Sequence, residues 1–116
     1  MPRAVVTGGA GFIGSHMVDL LLDRGYEVAV IDNLAGGRKE NIAQHSANPR
    51  FELHEQDMCE LPPASVLFRD AEYVFHFGGI GEIVPSIEDP VKYMKTNVNG
   101  TLAVLEAARH ARVKKL

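Results

Sequence analysis

Four glycines within the eight residues Thr7-Gly8-Gly9-Ala10-Gly11-Phe12-Ile13-Gly14 constrain this chain more than any other feature. They satisfy two spacings at once. Gly9, Gly11 and Gly14 stand as G-x-G-x-x-G, and Gly8, Gly11 and Gly14 recur at every third residue. The flanks decide what the cluster means. Before it, Arg3 to Thr7 carries the apolar run Ala4-Val5-Val6 and reads as a short buried parallel strand. After it, Ile13, Met17, Leu20, Leu21 and Leu22 fall at helical spacing from Phe12 to Arg24, with Gly25 as the stop. Val28-Ala29-Val30-Ile31 is rich in β-formers and ends at Asp32. Strand, glycine turn, helix and strand in that order predict a right-handed parallel crossover. In such a unit small residues permit a tight turn, Gly11 lets a pyrophosphate approach the backbone, and the helix start offers unpaired N–H groups to that charge. Gly14 lets the helix sit close on the strand.

Asp32 lies eighteen residues beyond Gly14, close to the offset of about 20 at which an acid accepts hydrogen bonds from an adenosine ribose. This favours NAD. A 2′-phosphate would face the carboxylate, so NADP would need a cation nearby; Arg38 and Lys39 are the local ones, and alone they read as solvated charges. Asp57 follows the third strand and reads equally well as an adenine contact or as an ordinary turn residue. His76, set among apolar residues at the end of the fourth strand, reads as a hydrogen-bonded core residue rather than an acid, base or ligand. His16, His45, His54 and His110 show no pairing at metal-ligand spacing, so no metal site is expected.

The remaining elements continue the alternation. Asn33 to Gly37 is loop, Arg38 to Ser46 a weak helix, and Phe51 to His54 a third strand. Pro62-Pro63 suits the start of a short helix through Leu67 and Phe68. Ala71 to Phe77 gives the fourth strand, broken by Gly78, Gly79 and Gly81. Asp89-Pro90 opens a helix running to about Arg112, and its stripe of Met94, Val98, Leu102, Leu105 and Ala108 is expected to lie on the sheet. Gly100 in its middle points to close packing there. Val113 to Leu116 reads as the entry to a fifth strand. The expected fold is α/β, a doubly wound parallel sheet with helices on both faces, stopping at the start of that fifth strand.

Composition bounds the function. With 116 residues, 46% apolar and 23% charged, residues 1–116 suffice for one compact domain. A formal charge of -3 argues against nucleic acid or an anionic membrane as partner. The lone Cys59 excludes an intramolecular disulfide and reads as a buried thiol, which fits a reducing, cytoplasmic setting. Met1-Pro2-Arg3 leads into too brief an apolar run for a signal peptide, and no stretch is long enough for a membrane span.

Taken in order, Thr7 to Gly14, Asp32-Asn33-Leu34, Asp57-Met58, His76-Phe77-Gly78-Gly79, Tyr93, Asn97-Val98-Asn99-Gly100-Thr101 and Val104-Leu105-Glu106-Ala107-Ala108 resemble the N-terminal half of the extended short-chain dehydrogenases. The closest subgroup is the NAD-dependent nucleotide-sugar epimerases and dehydratases, of the UDP-glucose 4-epimerase type. The resemblance implies a Rossmann-like domain with Gly8, Gly11, Phe12, Ile13 and Gly14 at the pyrophosphate. It further implies Asp32 and Asn33 at the adenosine ribose, Asp57 and Met58 at the adenine, and Phe77, Gly78 and Gly79 leading to the nicotinamide ribose. Asn97 would brace its helix against the active-site strand. His-Leu-Ala-Ala or His-Phe-Ala-Gly is commoner than His76-Phe77-Gly78-Gly79, and Ile80-Gly81-Glu82 stands where some members place a cofactor-touching lysine.

The resemblance also implies what is missing. The family's proton-transfer pair is a tyrosine four residues before a lysine, whereas Tyr26, Tyr73 and Tyr93 are followed at that distance by Val30, Phe77 and Asn97. No catalytic residue is therefore assigned, and the chain alone is expected to hold NAD without running a reaction. In a full-length enzyme, expected to be a homodimer, a hydroxyl of a nucleotide sugar would be oxidised transiently to a ketone. A stand-alone NAD-binding module or inactive fragment, and an NADP-dependent reductase of the same family, are the alternatives. Without later strands the fourth strand becomes an apolar edge, so the isolated chain is expected to self-associate.

Overall fold

The computed structural model describes residues 2–79 and 83–116. Its sheet has four strands, β1 (Arg3–Thr7), β2 (Glu27–Asp32), β3 (Phe51–Glu55) and β4 (Tyr73–His76). They are parallel and ordered β3-β2-β1-β4. Helix α1 (Phe12–Asp23) joins β1 to β2, and α2 (Ile83–Glu88), α3 (Pro90–Met94) and α4 (Gly100–His110) follow β4. The fifth strand is present as its first contact: Lys115 bridges Tyr73 in parallel. The Val74 N–H donates to the Lys115 carbonyl at 3.0 Å and the Lys114 N–H to the Glu72 carbonyl at 2.8 Å.

Residue alternation along the strands builds two cores, because successive side chains of a strand leave opposite faces. Ala4, Val6, Val28 and Val30 meet Val18, Leu21 and Leu22 of α1 on one face. Val5, Ala29, Ile31 and Val74 meet Phe68, Val104, Ala107 and Ala108 on the other. A sheet buried on both faces explains why the strands are apolar runs rather than polar-apolar alternations.

Several expectations need correction. Residues 38–46 form two 3₁₀ turns, Lys39–Asn41 and Ala43–His45, instead of a helix. Only Ile42 there is a buried apolar anchor, and the Asn41 side chain is drawn off to the Ala10 carbonyl. The short helix after the proline pair is a single 3₁₀ turn, Val66–Phe68, capped by the Ser65 hydroxyl. The long helix begins at the Asp89 cap as expected, with the Lys92 N–H donating to Asp89 Oδ1 at 3.1 Å, but Lys95–Asn99 is a π turn. The Thr101 hydroxyl donates to the Asn97 carbonyl at 2.6 Å, the kind of side-chain insertion that distorts a helical ladder. Helix α2 was not foreseen. The strand break expected at Gly81 and the reading of Ile80-Gly81-Glu82 lie outside the described residues.

The largest correction concerns which face of the long helix packs. Met94, Val98, Leu102 and Leu105 are exposed, and the face against the sheet carries Gly100, Val104, Ala107 and Ala108. Small residues win because the helix approaches the β3–β4 connection closely: a Cβ on Gly100 would lie 2.7 Å from Met58 Cε and 3.3 Å from Cys59 Sγ. The close packing expected at Gly100 is thus present, and it dictates the face.

Candidate functional site

The connections leave β1 and β4 in opposite directions, which opens a crevice at the carboxyl ends of the strands. There a cleft of about 410 Å³ is lined by Gly8, Gly11, Asp32, Asn33, Asp57, Met58, Phe77, Gly78 and Gly79. Nine of the residues expected at a site are therefore brought together.

The glycine loop is shaped by contacts no side chain would allow. Gly8 has a φ of +69°, and a Cβ on it would sit 2.8 Å from the Phe77 carbonyl group and the Gly78 nitrogen. A Cβ on Gly14 would lie 2.1 Å from the Gly8 carbonyl oxygen, so α1 rests directly on the loop. Phe12 and Ile13 behave differently from the other expected residues. Their side chains are 79% and 65% exposed and do not line the cleft. What they and Gly14 offer is backbone: the Ser15 N–H already reaches the Gly11 carbonyl and no side chain caps the helix, so the N–H groups of the first turn lack intrahelical acceptors.

Asp32 is buried, and both of its oxygens are placed. Oδ2 accepts the Ala10 N–H at 3.0 Å and Oδ1 accepts the Leu34 N–H at 2.7 Å. A carboxylate has about four lone-pair sites, so each oxygen keeps one for a ligand hydroxyl. Asn33 is exposed, its Oδ1 accepting the Ala35 N–H at 3.0 Å in an Asx turn. Asp57 lines the cleft, and as a turn residue its Oδ1 accepts the Cys59 N–H at 2.9 Å. Of the two local cations, Lys39 is paired with Glu55 of β3.

His76 is a hydrogen-bonded residue between the strand ends, and its surroundings fix its protons. The Thr101 hydroxyl donates to the Asn97 carbonyl, so at 2.9 Å it accepts from His76 Nε2–H. Nδ1 of the neutral ring is then the acceptor of the Thr7 hydroxyl at 2.6 Å, and the Thr7 oxygen accepts the Gly78 N–H at 3.1 Å. Partial burial pushes the His76 pKa below the ordinary 6.5, in keeping with this neutral form. Cys59 is half-buried rather than buried. Desolvation, then the neighbouring Asp57, push its thiol pKa up, so it stays protonated at neutral pH. No group of three or more metal-ligating side chains occurs among the described residues.

The far wall was not foreseen. Asp89, Lys92, Tyr93 and Thr96 line the cleft from α3 and the π turn. Their signal in the sequence is a polar row at helical spacing, opposite the apolar Val91, Met94 and Val98.

A parallel sheet with a glycine-lined crevice at its switch point, and an acid closing the second strand, defines a Rossmann-type α/β domain. Within that class, the chain belongs to the GDP-mannose 4,6 dehydratase family, whose model matches residues 5–116. It is 47% identical over 107 residues to UDP-glucuronic acid decarboxylase 1 of Arabidopsis thaliana, an alignment covering 92% of this chain and 23% of that protein. The UDP-N-acetylglucosamine 4-epimerase of Methanobrevibacter ruminantium M1, solved with UDP-N-acetylmuramic acid, superposes with a TM-score of 0.89 at 32% identity, covering 97% of this chain and 36% of that one. The dTDP-glucose 4,6-dehydratase of Streptomyces venezuelae, solved with NAD bound, gives 0.88 at 35% identity, with 97% and 37% covered. The chain thus spans about a quarter to a third of the length of these relatives.

Proposed function

We propose that residues 1–116 are the NAD-binding part of a nucleotide-sugar epimerase or dehydratase. The observation that carries the reading is the buried Asp32 carboxylate at the cleft, tied to the glycine loop through Ala10 and retaining acceptor capacity. The residues fit NAD. The loop from Gly8 to Gly11 presents backbone without side chains, and the first N–H groups of α1 with Gly14 beneath them suit a pyrophosphate. In this reading Asp32 and Asn33, which line the cleft, would hold the adenosine ribose, Asp57 and Met58 the adenine, and Phe77, Gly78 and Gly79 the path to the nicotinamide ribose.

Bound NAD supplies a hydride-accepting ring, and the full-length enzyme would use it to oxidise a sugar hydroxyl transiently to a ketone. The residues of this chain bind and orient. None of Tyr26, Tyr73 and Tyr93 precedes a lysine by four residues, so we assign no catalytic residue and read the chain alone as holding NAD without turning a substrate over. A nucleotide sugar as substrate is supported by the relatives' names. The exposed apolar row along α3 and α4 supports a homodimer, and a single free cysteine, Cys59, suits a reducing cytoplasm. No helix among the described residues is long and apolar enough to cross a membrane.

Calorimetric titration with NAD and NADP tests the reading. NAD is expected to bind and NADP to bind at least about tenfold more weakly, since its 2′-phosphate meets Asp32 and, with Lys39 paired to Glu55, only Arg38 is left nearby to offset that charge. Tighter binding of NADP would return the reductase alternative, and binding of neither would end the cofactor reading.

A further inference from the structure

The loop that forms the anion cradle is held from outside as well as by Asp32. Ala10 is fully buried. Its N–H donates to Asp32 Oδ2 at 3.0 Å, and its carbonyl accepts twice from the segment after β2: from Asn41 Nδ2 at 2.8 Å and from the Arg38 N–H at 3.0 Å. The next N–H, that of Gly11, donates to the Gly8 carbonyl at 3.1 Å. Both peptide planes flanking Ala10 are therefore pinned, and Gly11, with its extended ψ of 177°, hands the chain directly to α1. Gly37 makes the approach possible, because a Cβ there would lie 2.8 Å from the Ala10 carbonyl carbon.

We infer that Asn41 is a positioning residue for the phosphate-binding loop, orienting the Ala10–Gly11 peptide and with it the first N–H groups of α1. The inference rests on the proposed dinucleotide reading and extends it to a residue outside the cleft lining. Asn41 suits the role because its amide nitrogen can only donate, which selects one orientation of the Ala10 carbonyl. The site tolerates its removal, since the Arg38 N–H still satisfies that carbonyl. Preorganised donors matter most for the charged group they face, so loss of the clamp falls on the pyrophosphate rather than on the nucleoside.

The test compares ADP with adenosine as ligands of the purified protein, by NMR titration, with thermal melts of each variant alongside. For Asn41→Ala, ADP affinity is expected to fall about tenfold while adenosine affinity changes less than about twofold. Asn41→Asp keeps the shape but sets an acceptor against a carbonyl, so its loss for ADP is expected to exceed that of Asn41→Ala. Glu40→Ala in the same turn is expected to change neither affinity. Equal losses for both ligands, no loss, or an Asn41→Asp protein that binds ADP like the parent would overturn the inference, as would unfolding of both Asn41 variants, which makes the clamp one of the fold. If the parent itself binds neither ADP nor adenosine, the dinucleotide reading fails first and the inference falls with it.

Discussion

A single carboxylate joins the two parts of the cofactor reading, and at the residue scale it makes the sharpest prediction. Asp32→Ala removes the acceptor of the Ala10 N–H and the proposed partner of the ribose hydroxyls together. Hydrogen bonds to a charged group contribute about 1.5–3 kcal/mol, so NAD affinity is expected to fall about tenfold to hundredfold. The preference for NAD over NADP should shrink at the same time, because the repulsion of a 2′-phosphate goes with the charge; titration of both cofactors against the variant reads both effects. His76 gives a prediction in pH. Its folded-state pKa lies below the ordinary 6.5, so as pH falls through that value the unfolded chain takes up a proton that the folded chain refuses. Stability is therefore lost on acidification toward the lowered folded value. Comparing urea unfolding at about pH 7.5 and about pH 5.5 in the parent and in His76→Asn isolates this contribution, and the variant is expected to lose less stability between the two. The glycines were legible in the sequence for a physical reason: a positive φ or an atom 2.1 Å from a would-be Cβ admits one residue type, so position and role coincide. Asn41 was not legible, because its role depends on a carbonyl brought to it by the fold.

Elements were legible where one hydrophobic period dominated and illegible where two faces competed. Helix α1 has one apolar set and the first two strands are apolar on both faces, so neither poses a choice of face, and their bounds agree with expectation to within a residue or so. The long helix has two apolar rows, one of large residues and one of small. Periodicity detects both and does not say which packs; the distance to Met58 decides, and that distance belongs to the tertiary structure. The coupling is measurable. Gly100→Ala should gain about 1 kcal/mol in helix propensity. It also places a methyl 2.7 Å from Met58 Cε, 3.1 Å from Met58 Cγ and 3.3 Å from Cys59 Sγ. The clash is expected to win in the parent, making the substitution destabilising by about 1 kcal/mol. In a Met58→Ala background the two closest contacts are gone and only Cys59 Sγ at 3.3 Å remains, so the same substitution should become stabilising. A double-mutant cycle by denaturant unfolding checks the change of sign. The cleft's far wall follows the same logic, since Lys92 and Tyr93 acquire their place only when α3 and the glycine loop come to line one cleft.

At the scale of the whole molecule, two surfaces compete to explain how copies of this chain would associate. One is the β4 edge, whose first residues are already engaged by Lys114 and Lys115 and flanked by the Lys114–Glu72 ion pair. Charge on an edge strand is a common barrier to edge-to-edge pairing. The other is the row Val91, Met94, Val98, Leu102 and Leu105, each at least 45% exposed, which runs along one side of α3, the π turn and α4. A two-fold interface brings the same patch of both copies together, so an apolar row is complementary to itself. The helical row is the stronger candidate, because it offers buried apolar area while the edge offers backbone groups already partly satisfied. The same symmetry makes the test severe. In a Val98→Lys/Leu102→Lys variant four lysines would enter one apolar interface, and burying unpaired lysines is prohibitive. Sedimentation velocity across a concentration series is expected to show the parent associating and this variant monomeric, with NAD affinity unchanged because neither position lines the cleft. If association survives the two lysines, a sheet edge, β4 or β3, is the contact, and charges placed on the outward residues of the edge responsible should then abolish it.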